Sequence, residues 1–247
     1  MLFTGVNCCS AAVILVDPGH GGEDIGAKGV QYIRDIGPEG ITVKNLVYEK
    51  DLALSFAKKI YEKLRKHNHT VYLTRDVDKT VSLEERAQLA EKMNADVYIS
   101  VHMNSDTKSS SHGIETYYLD NHNDLAVKKV EKVENQKISN REDFIINKIL
   151  IDLTIQRTVV QSKQLAHAIH SQVKDELAEK YQLNDRKVRP GLLYVLALSK
   201  RPAVLLEVGF MSNEREMGLL NSELFQEDYA QAVESAVNAY LTSMKKN

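Results

Sequence analysis

Val13-Ile14-Leu15-Val16-Asp17-Pro18-Gly19-His20-Gly21-Gly22 is the stretch from which the rest of the chain can be read. Its aliphatic, largely β-branched start stops at a Pro-Gly pair, which predicts a buried strand over Val13 to Asp17 ending in a tight turn. Open α/β sheets collect their ligands beyond the C-terminal ends of their strands, and His20 stands at such an end. The glycines around it let the backbone pass close to a ligating side chain and its substrate.

Outward from this strand, the pattern alternates between strands and helices. Leu52, Phe56, Ile60 and Leu64 form one apolar stripe and predict a helix over Glu49 to His67. Val71 to Thr74 is the next strand. Ser82 and Glu85 make a capping box for a second helix running to about Asn94. A third strand, with Val97, Ile99 and Val101 alternating, ends in His102-Met103-Asn104, and Gly113 to Leu119 is a further strand rich in good β formers. Residues 121 to 143 carry Lys128, Lys129, Lys132, Lys137 and Arg141 against Asp124, Glu131, Glu134, Glu142 and Asp143, and read as a solvated, mobile charged insert. Phe144 to about Leu183 is helical, with a break or bend expected at the β-branched cluster Thr154 to Val160. Two closely spaced strands, Leu192 to Leu198 and Ala203 to Val208, precede a last helix from Asp228 to Lys245. The order predicts a single α/β domain over residues 13–245, with helices on both faces of a sheet made mixed by the last two strands.

A chain of 247 residues allows one or two domains and can bury a large core without disulfides or a structural metal. Lys+Arg 32 against Asp+Glu 34 leaves a formal charge of −2, with 27% charged and 43% hydrophobic residues. These values exclude wholesale disorder and give no basic footprint for nucleic acid. The longest apolar run, Leu192 to Leu198, has seven residues, where a membrane span needs about 20. Cys8 and Cys9 are adjacent and too few for a disulfide framework or a Cys-based zinc site. Residues 1–12, ending Ser10-Ala11-Ala12, read either as a signal remnant or as an N-terminal extension.

The reactive side chains fall at strand ends. His20 follows the first strand, His102 ends the third, Glu207 lies in the last, and Glu49 opens the first helix. Two histidines and a carboxylate make a zinc site of the hydrolytic kind, with a fourth position left for a water whose pKa the metal lowers from about 15.7 to about 7. A second carboxylate must then take the water's proton and pass it to the leaving amine, and Glu207 fits that role. Its apolar flanks, Ala203 to Leu206 and Val208 to Phe210, predict burial, where an unpaired carboxylate is costly. Taken singly, His20 or His102 reads more often as a hydrogen-bonded structural residue, and Glu49 as an exposed first-turn acid favoured by the helix dipole. His67, His69, His112, His122, His167 and His170 read as surface residues.

Gly19 to Gly29 fails both phosphate-loop templates, since Ala27 stands where the P-loop lysine belongs and Asp24 where the dinucleotide motif needs glycine. Ser105-Asp106-Thr107-Lys108 matches the Ser-x-x-Lys nucleophile pattern but lacks its Lys-Thr-Gly and Ser-Asp-Asn companions, and reads as a polar loop.

Together, Val16-Asp17-Pro18-Gly19-His20-Gly21-Gly22, Glu49-Lys50-Asp51-Leu52, Leu73-Thr74-Arg75, Ser82-Leu83 with Arg86, Ile99 to Asn104, Gly113-Ile114-Glu115, and Leu206 to Phe210 with Ser212-Asn213 resemble the zinc-dependent N-acetylmuramoyl-L-alanine amidases of the family-3 type. The resemblance implies a mixed-sheet hydrolase of peptidoglycan that cuts the amide between N-acetylmuramic acid and L-Ala of the stem peptide. It implies one Zn2+ per chain on His20, Glu49 and His102, Glu207 as catalytic acid/base, and an extracytoplasmic or periplasmic location. The loop from Gln31 to Val47 is longer than the family's pattern, which makes Glu23 and Glu39 rivals of Glu49 as the ligand. Glu134-Asn135, Ile149 to Leu153, Ser162 and Leu165-Ala166 resemble the branch that serves cell division. In that branch an inserted helix blocks the zinc through an acidic residue until an activator protein displaces it. The insert here is short, and its charge and position predict that residues 121 to 143 tune access to the site. Two alternatives remain at this stage: a zinc carboxypeptidase acting on the same stem peptides, and a non-catalytic cell-wall-binding or activator-binding module.

Overall fold

The computed structural model describes residues 11–34, 42–121, 127–135 and 141–244. In chain order the elements are β1 (Val13–Pro18), β2 (Lys28–Arg34), β3 (Thr42–Tyr48), α1 (Glu49–Arg65), β4 (Thr70–Leu73), α2 (Leu83–Lys92), β5 (Val97–Asn104) and β6 (Ile114–Leu119), followed by α3 (Lys128–Glu134), α4 (Arg141–Tyr181), β7 (Asp185–Gly191), α5 (Tyr194–Ser199), β8 (Ala203–Phe210), α6 (Glu214–Leu220) and α7 (Glu223–Met244). A sheet in the order β4-β1-β5-β8-β6-β7 carries the fold, and β2 and β3 form a separate antiparallel hairpin.

Because side chains alternate across a strand, β1 serves two cores. Ile14 and Val16 join Phe56 and Ile60 of α1, Leu165 and Ile169 of α4, and Tyr229 and Val233 of α7. Leu15 faces the other way, toward Ala90 of α2 and Leu196 of α5. Helices therefore cover both faces, as expected. The stripe Leu52, Phe56, Ile60 and Leu64 is buried along α1, each side chain contributing about 1.5–3 kcal/mol relative to exposure. The Ser82–Glu85 capping box is also present.

The sheet is mixed, but for a different reason than the sequence suggested. β1, β4, β5 and β8 run parallel, and the antiparallel neighbour of β8 is β6. The expected strand Leu192 to Leu198 is instead the short helix α5, with Tyr194 to Ala197 buried in the second core. A short, wholly apolar run has no periodicity to separate strand from buried helix. On its other side β6 pairs in parallel with β7, whose Asp-Arg-Lys-Val-Arg-Pro-Gly sequence is too polar to read as a strand. No break interrupts the helix near Thr154. The hydroxyls of Thr154 and Thr158 donate to the carbonyls of Leu150 and Thr154, both at 2.8 Å, so these β-branched residues are absorbed into one 41-residue helix. The last helix begins at Glu223 rather than Asp228. His69 and His170 are buried rather than on the surface: His69 bridges the Ala12 amide and Asn238, and His170 bridges Thr116 and Asp185. Cys8, Cys9 and His122 lie outside the described residues.

Candidate active site

β1, β5 and β8 are adjacent and parallel, so their C-terminal ends present His20, His102 and Glu207 to one rim. The turn after β1 is held from below by two buried arginines. Arg75 donates to the carbonyls of Pro18, Gly19 and Lys50 at 3.1, 2.8 and 2.7 Å, and Arg86 to those of Pro18 and His20 at 2.8 and 2.7 Å. Arg86 also pairs with Asp17, which accepts from Thr74 and Ser100. Burial alone would raise the Asp17 carboxyl, but Arg86 and the surrounding hydroxyls pull it down to about 2. This framework holds His20 at φ 59, a left-handed conformation rare for a residue with a Cβ.

The hairpin β2–β3 returns the chain so that α1 starts against Ile25 and Ala27, whose carbonyls accept from the Lys50 and Glu49 amides. Glu49 is thereby turned inward. Its Oε2 accepts from the Ala27 amide at 2.8 Å and its Oε1 from the Met103 amide at 3.0 Å. Oε1 also lies 3.0 Å from His20 Nε2 and 3.1 Å from His102 Nδ1. Of its two rivals, Glu23 is exposed, and Glu39 lies outside the described residues.

A fourth group completes the cluster. Glu134, at the end of α3, places Oε2 3.2 Å from His102 Nδ1 and 3.9 Å from His20 Nε2. His20, Glu49, His102 and Glu134 each offer one ligand atom, all within 4.8 Å of one another, and the set can hold a metal ion. The fit is supported by three features. His20 Nε2 is buried without a properly aligned hydrogen bond, although Glu49 is near. His20 Nδ1 is held by Asp24 at 3.0 Å, the carboxylate partner that fixes a ligating imidazole's orientation. A Cβ on Gly26 would fall 2.6 Å from Glu49 Oε2 and 2.7 Å from the His20 ring, and one on Gly19 2.4 Å from the His102 ring, so only glycine permits this close approach.

The charges are strongly coupled. Burial would lower His20, but Glu49, Asp24 and Glu134 outweigh it and hold the imidazole well above its usual range. Burial would raise Glu49, but the two histidines hold it well below the carboxylate range. Glu207 goes the other way. Burial first, then the charges of Glu134, Glu49 and Glu115, push it well above that range, and its Oε2 has no hydrogen-bond partner. Such a carboxyl retains a proton where an exposed glutamate would not. Glu115, opposite Glu207 on β6, forms ion pairs with Arg186 and Arg189 at 2.8 and 3.4 Å.

α3 divides the rim. On one side a cleft of about 220 Å³ is bounded by His20, Asp24, Ser82, Arg86, His102 and Glu134. On the other a cavity of about 60 Å³ is lined by Ala27, Glu49, Ser105, Glu207 and again Glu134. The charged insert is thus partly an ordered helix, contrary to its solvated reading. Val127 and Val130 are buried, and with Glu131 and Glu134 they recur at helical spacing, a signal that the surrounding charges hid. Asp24, four residues after His20, was likewise not read from the sequence. Ser105 lines the smaller cavity while Lys108 is exposed, its amide facing Asp106.

Comparison with known proteins points to one family. The family model for N-acetylmuramoyl-L-alanine amidase matches residues 14–239. The chain is 30% identical to the amidase AmiC of Neisseria meningitidis over 94% of its own length and 53% of that protein's. It is 28% identical to AmiA of Escherichia coli over 92% of its length and 75% of that protein's. The chain therefore spans about half of the first relative and three quarters of the second. The crystal structure of an N-acetylmuramoyl-L-alanine amidase from Clostridium difficile superposes with a TM-score of 0.68 at 28% identity, covering 94% of this chain and 98% of that one. Among the described residues no helix is long and apolar enough to cross a membrane. The chain belongs to the family of N-acetylmuramoyl-L-alanine amidases.

Proposed function

We propose that this chain is a zinc-dependent peptidoglycan hydrolase that cuts the amide between N-acetylmuramic acid and L-Ala of the stem peptide, outside the cytoplasmic membrane where that polymer lies. The observation that carries the reading is the convergence of His20, Glu49 and His102 on one point beside an unpartnered, buried Glu207. His20 Nε2, Glu49 Oε1 and His102 Nδ1 would hold one zinc ion, which when bound supplies Lewis-acid polarisation and an acidified water at neutral pH. Asp24 keeps the His20 ring in place, and the Ala27 and Met103 amides keep Glu49 from turning away. Glu207, ionised once a bound cation offsets the charges of the neighbouring carboxylates, takes the proton of the attacking water and returns it to the leaving nitrogen.

Glu134 adds a control on this chemistry. It occupies the side of the cluster that water and substrate must reach, so the chain rests in a closed state with α3 as the plug, and an activator protein that moves α3 opens it. Residues 13–245 then act as one catalytic domain whose 121–143 segment governs access, in keeping with a role in cell division. The decisive experiment incubates the chain and its Glu134→Ala variant with muropeptides, with and without a chelator, and identifies the fragments by mass. Chelator-sensitive release of intact stem peptide is expected; loss of terminal D-Ala alone would establish a carboxypeptidase, and no cleavage by either form a binding module.

A further inference from the structure

A groove of about 860 Å³ lies between the β2–β3 hairpin and the start of α6. It adjoins the small cavity that holds Glu207: Ala27 lines that cavity and Lys28 the groove, and the loop after β5 contributes Ser105 to one and Ser109 to the other. The 220 Å³ cleft on the opposite side of α3 includes His20 and Arg86 and does not include Glu207. This asymmetry has a chemical meaning. The group that protonates the leaving amine must face the half of the substrate that carries the amine, so that half leaves on the Glu207 side.

The charges on the groove point the same way. Lys28 is exposed at its mouth. The Arg215 guanidinium is fixed by the carbonyls of Tyr181 and Gln182, which orient it without cancelling its charge. Glu214 is the one carboxylate among the lining residues. The two sugars of the glycan are neutral, whereas beyond L-Ala the stem peptide carries free carboxylates. We propose that this groove is the stem-peptide subsite, with Lys28 and Arg215 meeting the peptide's carboxylates, and that the glycan lies across the His20 side of α3. The proposal rests on the amidase reading and adds to it the direction in which substrate crosses the site.

The test is binding by the zinc-loaded full chain, because the groove lies outside the plug and needs no turnover. The probes are the tripeptide L-Ala-γ-D-Glu-diaminopimelate, the same peptide with its carboxylates amidated, and the neutral disaccharide of N-acetylglucosamine, each followed by amide NMR shifts. The tripeptide is expected to shift Lys28, Val30 and Ser212. Lys28→Glu, an exposed change that leaves the fold intact, should weaken it by roughly 10-fold at low salt, as should amidation, and added salt should shrink both differences. Equal binding of the two peptides, an unaffected Lys28→Glu, no tripeptide binding at millimolar concentration, or disaccharide shifts in this groove would each overturn the proposal. A chain that releases stem peptide from muropeptides yet ignores the tripeptide refutes the groove alone. Tripeptide binding with no muropeptide cleavage even by the Glu134→Ala form refutes the amidase reading instead.

Discussion

Two halves of one cluster are built in opposite ways. His20, Glu49 and His102 hang from strand and helix ends that are locked by buried arginines, backbone amides and the sheet itself. Glu134 hangs from a seven-residue helix. Its polar anchors are Glu131 to the Leu192 amide and Asn135 to the Leu192 carbonyl and Tyr194 amide, at 2.7, 2.7 and 2.9 Å. All four groups sit within hydrogen-bond or ion-pair reach of a neighbour, but the cost of moving them differs greatly. Three belong to the frame, and the proposed function makes the fourth a lid on it.

The largest effect should come from breaking the frame. His102→Ala removes one of three converging ligand atoms, and activity should fall roughly 10³-fold or more, since metal polarisation supplies several kcal/mol of the barrier reduction. Zinc content after dialysis should fall in parallel; full retention of both would remove His102 from the site. Glu207→Gln comes next, costing roughly 10²-fold or more while zinc stays bound. Unchanged rate would mean the buried carboxyl is structural.

The support beneath the frame predicts a pH effect. Asp17 has a folded pKa of about 2 against an ordinary 3.8, so it contributes stability that is fully present above the unfolded value and lost as pH falls through the folded one. The amount is on the order of 2 kcal/mol, lost between about pH 4 and pH 2. Urea unfolding of the wild type should weaken across that window, and Asp17→Asn, less stable at neutral pH, should show a flatter profile. Parallel profiles would show that the Asp17–Arg86 pair does not carry the linkage.

The frame was legible in sequence because each part obeys a local rule. β1 is a continuous aliphatic run, α1 has its stripe, α2 its capping box, and the reactive residues follow directly at strand ends. The lid was not legible, because its structural residues are two valines, Val127 and Val130, among lysines and glutamates whose composition speaks of solvent. β7 failed for a related reason. Arg186 and Arg189 are polar in composition, yet they are used inward, on Glu115, and a pairing between charges distant in sequence leaves no periodic trace. A seven-residue helix is nonetheless long enough to bring the Glu134 carboxylate to the cluster.

The smallest predicted effect bears on the lid's anchors. A neutral hydrogen bond contributes about 1 kcal/mol net, so Asn135→Ala, which removes two bonds to the Leu192–Tyr194 segment, should shift the balance between closed and open α3 about 5- to 30-fold toward open. If the closed state limits turnover, muropeptide cleavage should rise by a similar factor without any change in zinc content. Glu131→Gln, which keeps an acceptor for the Leu192 amide, should raise it less. Combining Asn135→Ala with Glu134→Ala separates anchoring from ligation: once Glu134 is gone the position of α3 no longer blocks the cluster, so the second change should add little. Full additivity of the two would show that Asn135 acts on the fold of β7 and α5 rather than through the lid, and equal activity in all three forms would show that α3 stands open in solution.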